Sequence, residues 1–330
     1  MTRNPIARYL RPLVTTAALS FVIGCSPEAA PSLRLGINPW PGYEFLYLAQ
    51  EKGFYRDEGL DLRIVEFSCL SDARRSYERG QIDVIATTVI DVLQIRDNCD
   101  RSPQIVQVVD YSDGADVILA RAGIADGVGL RGARIAIEPA SLGGYVLGRA
   151  LEKNGLTLAD VRPVPMDQVS MLDVFRKGEA DAVVSYPPTS IRLLRDGAAH
   201  KIFSTADIPG EVLDVIAVEA EINARRPADI AKLLRAYHRA VAYRDHYPDD
   251  ADRIMAGREN ITPAEFREAL TGGTKRLFES DQADYLRPGG KLTAAIDTCD
   301  RLMRQSGQIK GADRRSDAFT AIFVGKEPPL

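Results

Sequence analysis

Histidine and cysteine are scarce, 3 and 4 in 330 residues, which leaves little material for a His/Cys metal centre, and none is expected. His200, His238 and His246 are scattered, and C-x-x-C and other zinc spacings are absent. No Lys/Arg-rich run stands out, so nucleic acid is not an expected partner. The chain also lacks a P-loop, a G-x-G-x-x-G after a strand, a G-x-S-x-G elbow and any Ser/His/Asp order. With those motifs gone, neither an enzyme nor a bound cofactor is expected. What remains is ordinary globular material: 45% apolar, 27% charged and 7% aromatic residues, with a net charge of −4. That composition excludes a disordered, collagenous or polytopic membrane chain, and the length fits about two domains.

The first 24 residues read as a signal peptide. Arg3, Arg8 and Arg11 form a basic start, and the apolar stretch 13–23 is 11 residues long. A bilayer core of about 30 Å needs a longer helix than that. Val22-Ile23-Gly24-Cys25 resembles a bacterial lipobox, so Cys25 is expected to be diacylated and to become the new N-terminus, with 25–32 as a tether to the lipid bilayer. Removing 1–24 takes away three positive charges and leaves a remainder near −7. An acidic surface of that kind fits export better than binding to anionic lipid. Past Cys25, the odd number Cys69, Cys99 and Cys299 allows at most one internal disulfide. Cys69 and Cys99 fall at opposite edges of a strand–helix alternation, beyond the reach of about 7 Å that a disulfide has. Three free, mostly buried thiols are therefore expected.

The chain repeats itself weakly. Ile37-Asn38-Pro39 with Gly42-Tyr43 returns as Ile137-Glu138-Pro139 with Gly144-Tyr145, and Arg79-Gly80-Gln81-Ile82-Asp83 returns as Lys177-Gly178-Glu179-Ala180-Asp181, at offsets of about 100 and 98 residues. Each half reads as strand, Pro/Gly turn, helix, strand, helix, strand, which implies parallel βαβ units and two similar α/β lobes. Strands are expected near 33–37, 62–67, 84–86, 105–109, 117–120, 134–137, 162–164, 182–184, 201–203 and 212–218. Helices are expected near 44–51, 72–79, 90–97, 143–153, 170–176 and 191–196, then 227–247, 263–270, 281–285 and 292–305. The first lobe would comprise 33–122 and 201–330, with 123–200 inserted as the second and two chain crossings between them.

The run Leu35-Gly36-Ile37-Asn38-Pro39-Trp40-Pro41-Gly42-Tyr43 with Leu48-Ala49-Gln50-Glu51-Lys52-Gly53-Phe54-Tyr55 resembles the solute-binding proteins of ABC importers, of the nitrate/sulfonate/taurine and thiamine-precursor type. Asp110 to Asp116, Ser141-Leu142-Gly143-Gly144-Tyr145 and Ser185-Tyr186-Pro187-Pro188 agree with it. The resemblance covers nearly all of 33–325 and implies the two-lobed, class II periplasmic-binding-protein fold. It also implies capture of a small solute for an ABC permease, and with the signal peptide and lipobox the expectation is an exported, lipid-anchored protein facing the periplasm or the cell exterior. Alternatives are a lipoprotein presenting its ligand to a membrane sensor, and a pyrimidine-synthase-like enzyme, although the three histidines here are scattered. The family commonly has Glu-Pro where this chain has Tyr186-Pro187.

Ligands of open α/β sheets bind beyond the carboxyl ends of the strands. The turns 38–43 and 138–145, together with Thr87-Thr88 and Ser185-Tyr186, are such ends. The expected ligand residues are Trp40, Tyr43, Thr87, Thr88, Asp110, Ser141, Gly143, Gly144, Tyr145, Tyr186 and Asp214. Ser141 can N-cap the helix after it, and Gly143 and Gly144 leave room for a ligand at backbone N–H groups, or simply start that helix. Trp40 either stacks on a ligand or lies as a core lid. Asp110, Asp113, Asp116, Glu138 and Asp214 are acids near the cleft or hinge. Asp113 and Asp116 fit turns, caps or hinge ion pairs. An amine, zwitterion, sulfonate or nitrogen heterocycle is the expected solute, and a cationic group would answer the acids. One consequence of the lipobox is direct. Cys25→Ser should release the protein from the membrane fraction or stall its processing, and unchanged fractionation with no acyl mass on the mature N-terminus would reject lipidation.

Overall fold

The structure, a computed structural model, describes residues 1, 31–139 and 141–325. The expected signal segment, Cys25 and most of the tether lie outside the described residues. Among those described, no helix is long and apolar enough to cross a membrane.

The first half-repeat builds β1 (Leu33–Ile37), α1 (Glu44–Glu51), the short α2 (Phe54–Asp57), β2 (Leu62–Glu66), α3 (Leu70–Glu78), β3 (Val84–Thr88) and α4 (Val89–Asn98). The second builds β6 (Arg134–Ile137), α5 (Leu142–Lys153), β7 (Arg162–Pro165), α6 (Gln168–Arg176), β8 (Ala182–Ser185) and α7 (Thr189–Arg195). β4 (Pro103–Ser112) and β5 (Val117–Ala120) lie between the halves, and β9 (His200–Ser204) and β10 (Leu213–Glu219) follow the second. The chain ends in α8 (Ala220–Arg225), α9 (Pro227–His246), α10 (Pro248–Glu259), α11 (Pro263–Gly272), β11 (Thr274–Arg276), α12 (Gln282–Leu286) and α13 (Lys291–Gln305).

Two sheets result, ordered β11-β4-β10-β3-β1-β2 and β7-β6-β8-β5-β9. The parallel cores β3-β1-β2 and β8-β6-β7 are the same arrangement twice. The repeat extends to side chains. Arg34 donates to Asp83 and to the Gly80 carbonyl, and Arg134 donates likewise to Asp181 and the Gly178 carbonyl. The backbone N–H groups of both arginines donate to the same carboxylates. Each pair ties the start of its first strand to the turn before its third.

Alternate strand residues enter opposite cores. Leu33, Leu35, Ile37, Val84 and Ile216 pack with α1 and α9, while Ile85, Ile105 and Val215 pack with α3 and α4. That second core runs on to Ile135, Ile137 and α5 of the other sheet. A third core, with Leu119, Phe175 and Val183, covers the second sheet's far face.

The expected lobe boundaries need correction. The expectation places both Val117–Ala120 and the strand near 201–203 in the first lobe, but β5 pairs with β8 and β9, so both belong to the second sheet. The crossings are therefore 113–116 and 205–212. Helix α10, which begins at Pro248, is not among the expected helices. Pro248 occupies the first turn of a new helix, where proline loses no hydrogen bond. The three described cysteines are free as expected, Cys69 and Cys299 buried and Cys99 half-buried.

Asp83 is raised by its burial, but the Arg34 hydrogen bonds outweigh this and hold it below the usual carboxylate range. Asp83→Ala should lower unfolding stability at pH 7 by about 1–3 kcal/mol in urea titrations. A carboxylate lowered in the fold stabilises above its unfolded pKa, so the difference should shrink as the pH falls below about 4. Asp181→Ala should act in the same direction but less, since Asp181 is 30% exposed against 12% for Asp83.

Candidate functional site

The two chain crossings are tied together. The Ser112 and Thr205 hydroxyls lie 2.6 Å apart, Gly114 N–H donates to Thr205 Oγ1, Asp116 N–H donates to Ser112 Oγ, and Thr205 N–H donates to the Asp116 carbonyl. This knot turns the carboxyl ends of both sheets toward one seam.

On the first-lobe side, Asp110 and Asp214 are direct partners across β4 and β10, and Asp214 also faces Thr88 across β3. The Trp40 indole N–H donates to Asp110 Oδ2 at 3.4 Å, and the Tyr43 hydroxyl donates to Asp214 Oδ1 at 2.5 Å. Glycine is required at position 42, where a Cβ would sit 1.8 Å from Asp110 Oδ2. Thr88 caps α4, accepting from the Asp91 N–H and donating to its carboxylate. All these groups are buried. Burial, with Asp110 and Asp116 adding their charge, puts Asp214 well above the ordinary carboxylate range. Burial likewise raises Asp110, and it pushes Asp116 and Asp91 up to about 7.

The second lobe meets this floor through Glu138 and Tyr186. Cys69, at the N-cap of α3, gives no side-chain cap. Two of the helix's open N–H groups are satisfied from the other lobe instead: Leu70 N–H donates to the Tyr186 hydroxyl at 3.3 Å and Ser71 N–H to Glu138 Oε1 at 2.5 Å. The Tyr186 hydroxyl in turn donates to Glu138 Oε2, and its ring meets Trp40 edge-on at 6.2 Å. Trp40, 4% exposed, is thus both buried and part of the seam.

The expected residues divide. Trp40, Tyr43, Asp110, Asp214 and Tyr186 come together, with Thr88 beside them. Thr87 and Ser141 are buried at their strand ends, each with a hydroxyl that has no partner. Ser141 stands at the N-cap of α5, but its side chain makes no cap, so the capping expectation is corrected. Gly144 borders Gln308, 3.8 Å from a built Cβ, and Gly143 borders Ile137 and the Glu138 backbone. Tyr145 is turned elsewhere: its hydroxyl donates to Glu211, which also binds Arg149. Asp113 pairs with Lys275 as an ion pair, but Asp116 has no cation among the described residues and belongs with the buried acids. The hold of Glu138 on α3 is not among the expected roles. Its signal was the Asn38/Glu138 mismatch within otherwise matching turns.

One group among the described residues has metal-ligand spacing, Cys69, Asp72 and Asp167, with donor atoms within 4.8 Å. Arg75 already holds Asp72, and burial followed by the Glu138 charge pushes the Cys69 thiol up to about 12. A protonated thiol is a poor ligand.

The chain belongs to the NMT1/THI5-like family, whose profile matches residues 40–251. A curated relative from Brucella abortus (strain 2308), named as a binding protein, is 21% identical over 307 residues, covering 87% of this chain and 95% of its own. The alkanesulfonate-binding protein SsuA from Xanthomonas axonopodis pv. citri, solved bound to MOPS, superposes with a TM-score of 0.73 at 18% identity, covering 88% of this chain and 99% of that one. The desulfurization enzyme DszB superposes at 0.64 with 16% identity, covering 89% and 98%. The fold is that of the periplasmic binding proteins, two-lobed as expected.

Glu138→Ala should leave the Ser71 N–H without its acceptor and free the Tyr186 hydroxyl, which accepts from Leu70 N–H, from the carboxylate that holds it. Amide exchange at Leu70 and Ser71 should accelerate at least about tenfold, equivalent to ~1.4 kcal/mol of lost protection. Unchanged exchange there would mean that the carboxylate does not hold the seam shut.

Proposed function

We propose that this chain is an extracytoplasmic solute-binding lipoprotein, which captures a small organic solute between its lobes and delivers it to an ABC importer while Cys25 anchors it to the membrane. One observation carries the reading. The carboxyl-end turns of two matching sheets face each other, and buried oxygens from both sides of that seam, among them Asn38 Oδ1, Thr87 Oγ1 and Ser141 Oγ, have no partner. Polar groups are buried at such cost only when something answers them, and strand carboxyl ends are where ligands of these sheets sit. Membership of the family and the likeness to SsuA support the same reading. DszB shows that the fold also hosts an enzyme. Cys69, the described cysteine at the seam, remains a thiol at neutral pH and supplies no ready nucleophile.

The solute enters while the lobes are apart, with 113–116 and 205–212 as the hinge. It contacts both faces only when they close, and that differential affinity favours the closed form. The closed protein then docks on the permease.

Trp40 is the only tryptophan, so intrinsic tryptophan emission reports this seam. In a screen of sulfonates, nitrate, thiamine precursors, amines and flavins, the true solute should shift that emission. At 100 times its dissociation constant it should add about 2.7 kcal/mol of stability. Trp40→Ala should weaken its binding by about 1–3 kcal/mol. ATP-driven uptake of the same solute by spheroplasts should require the protein. A screen in which nothing moves Trp40 or the melting temperature would reject capture, and binding without uptake would reject delivery to an importer.

A further inference from the structure

Asp110, Asp116 and Asp214 occupy the floor of the seam, where each is at most 2% exposed; the Asp110 and Asp214 carboxyl groups share a hydrogen bond with each other, and Asp116 Oδ2 has no partner. No Lys or Arg among the described residues forms an ion pair with any of the three. The groups around them are accounted for. Trp40 and Tyr43 donate one hydrogen bond each, to Asp110 and Asp214. Ser112 Oγ accepts from the Asp116 N–H. Asp91, on α4, adds negative charge near Tyr43. Arg276, opposite Asp110 in the β4–β11 register, is held by Asp245 through Nη2 and lies over the Phe278 ring, while its Nη1 is buried without a hydrogen-bond partner and its charge reaches Tyr237. Tyr237, on α9, is close enough to Asp110 to feel its charge, and its hydroxyl is buried without a partner. Buried carboxyl groups with no cation are an arrangement a fold keeps at a cost.

A second observation is independent of the acids. The N-terminus of α3, nine residues long, is the natural seat at this seam for an external anion. The chain fills it with its own carboxylate, since Glu138 accepts from Ser71 N–H and from the Tyr186 hydroxyl. Asn38 Oδ1, Thr87 Oγ1 and Ser141 Oγ, the unpartnered oxygens at the surrounding strand ends, bring acceptor capacity to the same seam.

We propose that the captured solute carries a cationic group, an ammonium or amidinium, seated against Asp110, Asp116 and Asp214 beside Trp40 and Tyr43, and that Glu138 excludes solutes whose head group is an anion. This rests on the reading of the chain as a solute-binding protein. The donors of such a cation match Asp116 Oδ2 and can take the place of the proton between Asp110 and Asp214, and the rings of Trp40, Tyr43 and Tyr186 suit its charge. A sulfonate would meet like charge on the floor and an occupied seat at α3.

The test uses the full chain and four matched probes: benzylamine, benzamidine, benzenesulfonate and benzyl alcohol, followed by Trp40 emission and calorimetry. The cations should bind at least about tenfold more tightly than benzenesulfonate. Protons compete for the raised carboxyl groups, so cation affinity should fall at least about tenfold from pH 8 to pH 5. Asp214→Asn and Asp116→Asn should each weaken cation binding by about tenfold or more and leave benzyl alcohol unaffected. A further measurement needs no ligand. A carboxyl group raised in the fold costs stability above its unfolded pKa, so Asp214→Asn should raise the melting temperature at pH 8, with the gain vanishing near pH 4. Tighter binding of benzenesulfonate, absence of cation binding up to about 10 mM, cation affinity indifferent to both variants, or a lower melting temperature for Asp214→Asn at pH 8 would each overturn the proposal. Benzenesulfonate or benzyl alcohol shifting Trp40 at lower concentration than either cation would leave solute capture standing while rejecting the cation.

Discussion

Everything at the seam follows from the knot between the two chain crossings. Ser112 and Thr205 share a hydrogen bond, and the backbone around Gly114 and Asp116 closes on the same two hydroxyls. Asp110 lies just before one crossing and Asp214 just after the other, so the knot forces two carboxyl groups 104 positions apart in sequence into direct register. No local rule places them there. Pairing them at the end of a sheet, with Trp40 and Tyr43 laid over them, removes the water that would otherwise solvate their charge. The carboxyl groups become protonated more readily, and their affinity for any arriving cation rises with the same burial.

In the proposed capture, closure without a solute balances two terms of opposite sign. The Glu138 and Tyr186 contacts to α3 draw the lobes together, since they satisfy N–H groups that the helix leaves open. The unpaired acids push the other way, because shutting the seam strips them of water. A solute shifts this balance only as far as its affinities for the closed and open forms differ. Groups that are costly when closed and empty provide that difference when the solute satisfies them. A seam already satisfied in every contact would close on nothing and discriminate nothing.

Much of the fold was legible because it is local and said twice. The Arg34–Asp83 tie and its copy at Arg134–Asp181 rest on residues whose spacing recurs, and the paired turns after β1 and β6 recur with them. What was not legible depends on pairing across the chain. β5 alternates like any strand, and nothing within Val117–Ala120 says that its neighbours are β8 and β9. Helix α10 was hidden because proline at a helix start and proline at a helix end look alike when read alone. At the site, the aromatic and acidic residues of the strand ends were found by position. Asp116 and Glu138 were not assigned their roles, because one needed the absence of a cation and the other the approach of a helix from the far lobe.

Tyr186 shows how the seam's residues depend on one another. The related family commonly carries glutamate at this place, before the proline. Here the Tyr186 hydroxyl lies 3.2 Å from Glu138 Oε2 and accepts from Leu70 N–H. A carboxylate reaching the same point would set two negative charges side by side in a buried seam, where one would have to take up a proton. A phenol resolves this, since it accepts from the helix and donates to Glu138. The carboxylate at the start of α3 thus comes from position 138, in the turn where the first lobe carries Asn38. Exchanging Asn38-type and Glu-type chemistry between the two turns, with tyrosine at 186, keeps one negative charge at the helix N-terminus and leaves the remaining acids of the seam to face whatever the lobes enclose.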